Sequence, residues 1–199
     1  FEPGSTMKPF SIVAALEAGK VRPDTKIQTA PGKLTIGDRT IGDAHPHGLL
    51  SVEEVVSKSS NVGTAKIALE LPAQTLWDTY TAAGFGQAPQ LGFPGAVAGR
   101  LRPAKSWRPI EQATISYGHG VSVTLMQLAR AYTAFARDGD MPPLTLLRQD
   151  APPAGVGDGR GVPAGVGPPG VAVDRRAPAG VGPPGVRVGR RVPAGVGPP

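Results

Sequence analysis

A hydroxyl and an amine stand three residues apart near the start of the chain, in Phe1-Glu2-Pro3-Gly4-Ser5-Thr6-Met7-Lys8-Pro9-Phe10. At that spacing Ser5 and Lys8 share one face of a helix, so the amine can take the hydroxyl proton if its surroundings depress its pKa. A serine activated this way is a nucleophile for acyl transfer. The same four residues also fit a helix cap followed by a solvated lysine, so the chemistry depends on what else reaches the pair. A second polar cluster, Ser59-Ser60-Asn61, follows 54 residues after Ser5. Polar residues that bond their own backbone are ordinary between two helices. If this turn folds back toward Ser5, Ser59 can pass a proton between Lys8 and a leaving amine. The Asn61 amide can then both donate to and accept from a peptide-like substrate.

Helices must position these side chains. Phe10 to Leu16 is apolar but for Ser11, and Gly19 follows as a stop, which predicts a largely buried helix beginning near Ser5. Pro9 is tolerable in its first turn, where its missing N–H has no intrahelical partner. From Val21 to Ala44, prolines and glycines punctuate short β-type pieces, Lys26 to Thr29 and Lys33 to Ile36, predicting an extended excursion with one hairpin. Ser51 and Glu54 form a capping box ahead of a helix that buries Val52, Val55 and Val56. Val62, Ala65, Ile67, Ala68 and Leu69 continue at helical spacing. Ala73 to Ala83 reads as a core helix through Leu76, Trp77 and Tyr80, capped by Gly84. Thr124 to Asp138 places Leu125, Leu128, Ala129, Tyr132, Phe135 and Ala136 on one core-facing stripe. In Tyr117-Gly118-His119-Gly120 two glycines bracket a histidine, as a tight loop or a close backbone approach at the cleft would require.

The 199 residues, 40% of them hydrophobic, suffice for one domain with a core. Cysteine is absent, so no disulfide or thiolate metal site is expected. His45 and His47 flank Pro46 without a carboxylate or a third histidine, and no metal is assigned to them. Of the formal charge of +6, the segment beyond residue 150 carries +4, six arginines against Asp158 and Asp174, which leaves +2 for the body. No basic stripe interleaves with aromatics, which argues against a nucleic-acid partner. No apolar run approaches the roughly 18 residues of a membrane span, and any anchor is expected upstream of Phe1.

From Gln149 the composition changes. VPAGVGPPGVAVDRR at Val162 to Arg176 repeats as APAGVGPPGVRVGRR at Ala177 to Arg191, a 15-residue period, and a third copy begins at Val192. With no aromatic, Leu or Ile, this stretch cannot bury enough apolar area to offset its ordering entropy, so residues 149–199 are expected to be a disordered tail beside a partial domain at 1–148. A Pro/Gly linker and a GC-rich DNA repeat read out of frame both account for it.

Ser5-Thr6-Met7-Lys8 with Ser59-Ser60-Asn61 resembles the Ser-x-x-Lys and Ser-x-Asn motifs of the penicillin-binding protein transpeptidases. The flanking EPGSTMKPF, IGDAHPHGLLSVEEVVSKSSNVGTAKIALEL, GFG at Gly84 to Gly86, FPG at Phe93 to Gly95 and SYGHGVSVTLMQLARAYTAFARDGD are similar to class B enzymes of the septal cell-division type. The resemblance implies the α/β fold shared with serine β-lactamases, here mainly its helical part because the sheet strands at both ends are missing. It implies acyl transfer in which Ser5 attacks a D-Ala-D-Ala stem peptide of peptidoglycan, with Lys8 as base, Ser59 as relay and Asn61 positioning the substrate amide. Penicillins mimic that dipeptide. No cofactor or metal is implied; the partners would be stem peptides, β-lactams and division-complex proteins. The location would be the periplasmic face of the bacterial inner membrane, through the upstream anchor.

The family also carries a third motif, Lys-Thr/Ser-Gly, on a strand across the cleft. None follows Asn61: Lys66 precedes Ile67, and Lys105 precedes Ser106-Trp107. In the family that strand supplies one of two oxyanion-hole N–H groups, the other being that of Ser5, and losing such a donor costs about 10²–10³ in rate. The chain as it stands is therefore expected to be inactive, and the break in pattern favours the out-of-frame origin of the tail. Two other readings stay open. A serine β-lactamase or β-lactam sensor shares Ser-x-x-Lys, but the hydrolytic class A type adds an acidic base and usually Ser-Asp-Asn, where Ser60 stands here. The other is a catalytically dead, non-enzymatic fragment.

Overall fold

The computed structural model describes residues 1–91 and 94–147. Phe93 of the FPG segment and the repeat tail from Gln149 lie outside the described residues.

A 3₁₀ turn at Gly4–Met7 leads into α1 (Lys8–Glu17), so the α-helix begins at Lys8 rather than near Ser5. Pro9 is the cause. With no N–H it cannot bond the Ser5 carbonyl four residues back, and that carbonyl instead accepts from Lys8, closing a tighter turn. α1 ends before Gly19, which takes a positive φ of 65°. The extended excursion holds four short strands, β1 (Lys26–Gln28), β2 (Lys33–Ile36), β3 (Arg39–Gly42) and β4 (Leu49–Ser51). β2 and β3 form the hairpin, with Lys33 opposite Gly42. The first β-type piece does not join it; β1 pairs antiparallel with β4 instead.

Ser51 then caps α2 (Val52–Ser57) through the expected box, accepting from Glu54 N while the Glu54 carboxylate accepts from Ser51 N. α3 (Asn61–Leu69), α4 (Ala73–Ala82), α5 (Pro109–Ser116) and α6 (Leu125–Ala136) complete the described elements. α5 has no counterpart in the sequence reading; Pro109 opens it, and Ala65 of α3 and Ala113 of α5, both fully buried, let these helices pack closely. The side-chain amide of Gln112 fastens the same interface by donating to the Ala68 and Leu71 carbonyls. α1 packs on α3 and α4, and Met7, Phe10, Val52, Val55, Leu76, Tyr80, Phe85 and Ile115 form the main core.

Two core assignments change. Val56 is exposed, because α2 is short and turns only Val52 and Val55 inward. On α6, only Gln127 and Ala131 are buried, while Leu125 is 72% and Phe135 47% exposed. Gln127 takes an inward position by donating to the Gln87 and Ala98 carbonyls, while the apolar stripe is only partly covered: Leu128 packs on the core and the rings of Tyr132 and Phe135 meet Phe10, but Leu125 faces outward. The described strands form two separate two-stranded sheets beside the helices.

Candidate active site

The Ser5 turn is gripped from several sides. Phe1 and Val123 exchange backbone hydrogen bonds. The Glu2 carboxylate accepts from Gly120 N at 2.8 Å and lies 3.1 Å from His119 Nδ1; the Gly120 N–H is the main reason its pKa lies below the usual carboxylate value. Gly4 N donates to Gly118 O, and Tyr132 donates from its hydroxyl to Thr6 O. Gly118 has φ +88°, and a Cβ there would overlap the Gly4 backbone, so the glycine-histidine loop is a close approach to the Ser5 turn. Ser5 itself is exposed in the 3₁₀ turn ahead of α1.

One turn on, Lys8 is only 2% exposed. Its Nζ donates to Ser59 O at 2.5 Å and to Ser59 Oγ at 2.9 Å. Burial disfavours the charged amine and brings its pKa down to about 8, against a smaller upward pull from the Asp43 carboxylate. Lys8 Nζ is anchored on Ser59, and no hydrogen bond joins it to the Ser5 hydroxyl; the two residues meet only through the backbone, Lys8 N to Ser5 O.

Ser59 owes its place to the way α2 ends. Ser59 N donates to Val56 O and Ser60 N to Val55 O, the two bonds of a Schellman termination. The residue between them must be left-handed, and Ser59 has φ +54° at a position that glycine usually fills. A serine there costs about 1–2 kcal/mol of backbone preference. In return, both its carbonyl and its hydroxyl accept from Lys8. Ser60 is buried as the N-cap of α3, accepting from Gly63 N and donating to Asp43 Oδ2. Asn61 begins α3 and donates from Nδ2 to Gly42 O at 2.9 Å, which leaves its side-chain carbonyl for another donor.

Of the four residues singled out in the sequence, Lys8 and Ser59 are in direct contact. Ser5 lies three residues from Lys8 on the same strongly held turn, and Asn61 two residues beyond Ser59. Asp43 and Gly118 belong to the arrangement and were not identified as site residues from the sequence. An aspartate after a strand glycine carries no local signal; the bracketed glycines of the other did. A cavity of about 420 Å³ lies to one side, lined by Glu2, Arg100, Arg102, Gly120, Val121 and Ser122, and includes none of the four. Among the described residues no group of three His, Cys, Asp or Glu is placed to hold a metal. No described helix is long and apolar enough to cross a membrane.

The family model described as the penicillin binding protein transpeptidase domain matches residues 1–157. The chain is 46% identical over 154 residues to the probable peptidoglycan D,D-transpeptidase PenA of Neisseria gonorrhoeae, covering 77% of this chain and 26% of that protein. It is 40% identical over 155 residues to peptidoglycan D,D-transpeptidase FtsI of Escherichia coli K12, covering 78% and 26%. Among solved structures, the apo TP domain of penicillin-binding protein 3 from Burkholderia pseudomallei is 51% identical with a TM-score of 0.73, over 75% of this chain and 45% of that one. A peptidoglycan glycosyltransferase structure from Burkholderia ambifaria gives 53% and 0.73, over 75% and 48%. The chain thus spans about a quarter of the length of these two curated relatives.

Proposed function

The chain belongs to the penicillin-binding protein transpeptidase family, and from that membership we propose that it is the helical part of a serine D,D-transpeptidase site that cross-links peptidoglycan in septal wall synthesis. The observation that carries the reading is the buried Lys8 amine held on both acceptors of Ser59. With a pKa of about 8, roughly one amine in ten is neutral at pH 7, enough to serve as a base.

In this reading Ser5 Oγ attacks the carbonyl carbon of the penultimate D-alanine of a stem peptide. Lys8 takes the hydroxyl proton, and the tetrahedral oxyanion forms against the Ser5 N–H. As the C–N bond breaks, Ser59 passes the proton to the departing D-alanine amine. An amine of a second stem peptide then attacks the ester, and its proton returns by the same route to restore the Ser5 hydroxyl. Asn61 holds the substrate amide through its free carbonyl. The exposure of Ser5 and Ser59 supports substrate entry from the side where the family's Lys-Thr/Ser-Gly strand would close the cleft. Without that strand the chain as given is inactive, and the repeat tail at residues 149–199 is a segment apart from the transpeptidase domain. The intact enzyme works at the periplasmic face of the inner membrane among division-complex proteins.

The test completes the domain by joining residues 1–147 to the downstream transpeptidase segment of the Burkholderia pseudomallei relative. A D-Ala-D-Ala stem peptide with an acceptor amine should then yield D-alanine and cross-linked product, and Ser5→Ala should abolish both. Sustained nitrocefin hydrolysis without cross-linking would point to a β-lactamase instead.

A further inference from the structure

We propose that Asp43 is a positioning residue of this site, clamping the Ser59-Ser60-Asn61 turn against Lys8; the inference rests on the roles given above to Lys8 and Ser59. Asp43 reaches the turn from the connection between β3 and β4. Its Oδ2 accepts from Ser60 Oγ at 2.7 Å and its Oδ1 from Val62 N at 2.9 Å. The carboxylate therefore takes one of the N–H groups that open α3 and also orients the hydroxyl that caps a second one, Gly63 N. The preceding residue joins the clamp, since Gly42 O accepts from Asn61 Nδ2. The connection is itself fixed at its root: Asp43 N donates to Gly32 O where the β2–β3 hairpin ends.

The turn needs such a hold. Ser59 sits in a left-handed conformation that an L-residue resists, and it is exposed, so its own packing does little to keep it there. Both Lys8 acceptors belong to this one residue. Loosening the turn removes them together. The charge of Asp43 also favours the protonated amine of Lys8, while on α2 Glu54 pairs with Lys58 at the helix end, 3.5 Å apart, and Glu53 is exposed. Loss of the Asp43 charge and loss of the Ser59 acceptors act in the same direction on Lys8, both disfavouring its ammonium form.

The full chain, labelled with ¹³C at lysine Cε and at aspartate carboxyls, tests the proposal by NMR with no need for acylation, so a failure of the transpeptidase reading leaves this test standing. In Asp43→Asn the Lys8 midpoint should fall by about half a pH unit or more. The Val62 and Gly63 amides should exchange about tenfold faster or more. Asp43→Glu, which restores the charge, should return the midpoint toward that of the parent. A folded Asp43→Asn chain in which either readout keeps its parent value overturns the proposal. Should that variant not fold, the unmutated chain still decides: the Asp43 carboxyl signal should step at the Lys8 midpoint, and a flat trace there overturns it.

Discussion

Replacing Lys8 with methionine should make the protein more stable at neutral pH. Lys8 is 2% exposed, and burial lowers its pKa from 10.5 to about 8. At 1.36 kcal/mol per unit, folding with the amine charged costs about 3 kcal/mol that a neutral side chain of similar length does not. The folded pKa lies below the unfolded one. Between about pH 8 and 10.5 the unfolded chain therefore binds more protons, and parent stability rises with pH across that window. Below it the cost is paid in full. The acceptors that lose their donor in the variant sit in part-buried hydrogen bonds on an exposed residue, Ser59, within reach of water. Urea melts followed by the fluorescence of Trp77 and Trp107 should place Lys8→Met about 2–3 kcal/mol above the parent near pH 7. The gap should close as pH approaches about 10.5. A variant less stable than the parent at neutral pH, or a gap that ignores pH, would refute the reasoning that the lysine is a buried amine whose charge is costly to fold.

Ser59→Gly should relieve the left-handed backbone and stabilise by about 1 kcal/mol, while removing the Oγ acceptor and lowering the Lys8 midpoint; a destabilised variant would contradict the Schellman reading. Gly118→Ala should cost more than about 2 kcal/mol in a urea melt, since its Cβ overlaps the Gly4 backbone, and a neutral result would show that the Ser5 turn can move aside. Ser51→Ala should cost about 1 kcal/mol through loss of the cap on Glu54 N, measured the same way.

The helices were legible where apolar period and cap agreed. Ser51 with Glu54, and Gly19 and Gly84 after their helices, stand as the sequence reads, because these signals are local. The strand pairing was not. β1 and β2 look alike in sequence, and only the return of Leu49–Ser51 to β1, a long-range choice, decides which of them enters the hairpin. The α6 stripe is only partly buried because a helical period reports which residues share a face, not how far another element covers it: Leu128, Tyr132 and Phe135 meet the core and Leu125 does not. At the proposed site, the types and spacing of Ser5, Lys8, Ser59 and Asn61 singled them out and Lys8 does meet Ser59, yet the sequence placed Ser5 in the helix, and Pro9 moved it into the 3₁₀ turn. Asp43 was invisible, since its work is done across a loop, on the helix start at Val62.

In the proposed reading, Ser5, Lys8 and the Ser59-Ser60-Asn61 turn form two walls of a penicillin site whose third, the Lys-Thr/Ser-Gly strand, has no counterpart after Asn61 in this sequence. Intact-mass analysis after incubation with a fluorescent penicillin tests that most directly, with the chain as given beside the completed domain and Ser5→Ala versions of both. The chain as given should stay unlabelled, and the completed domain should carry one adduct that is lost in Ser5→Ala. A Ser5-dependent adduct on the chain as given, or a completed domain that stays unlabelled, would contradict that reading.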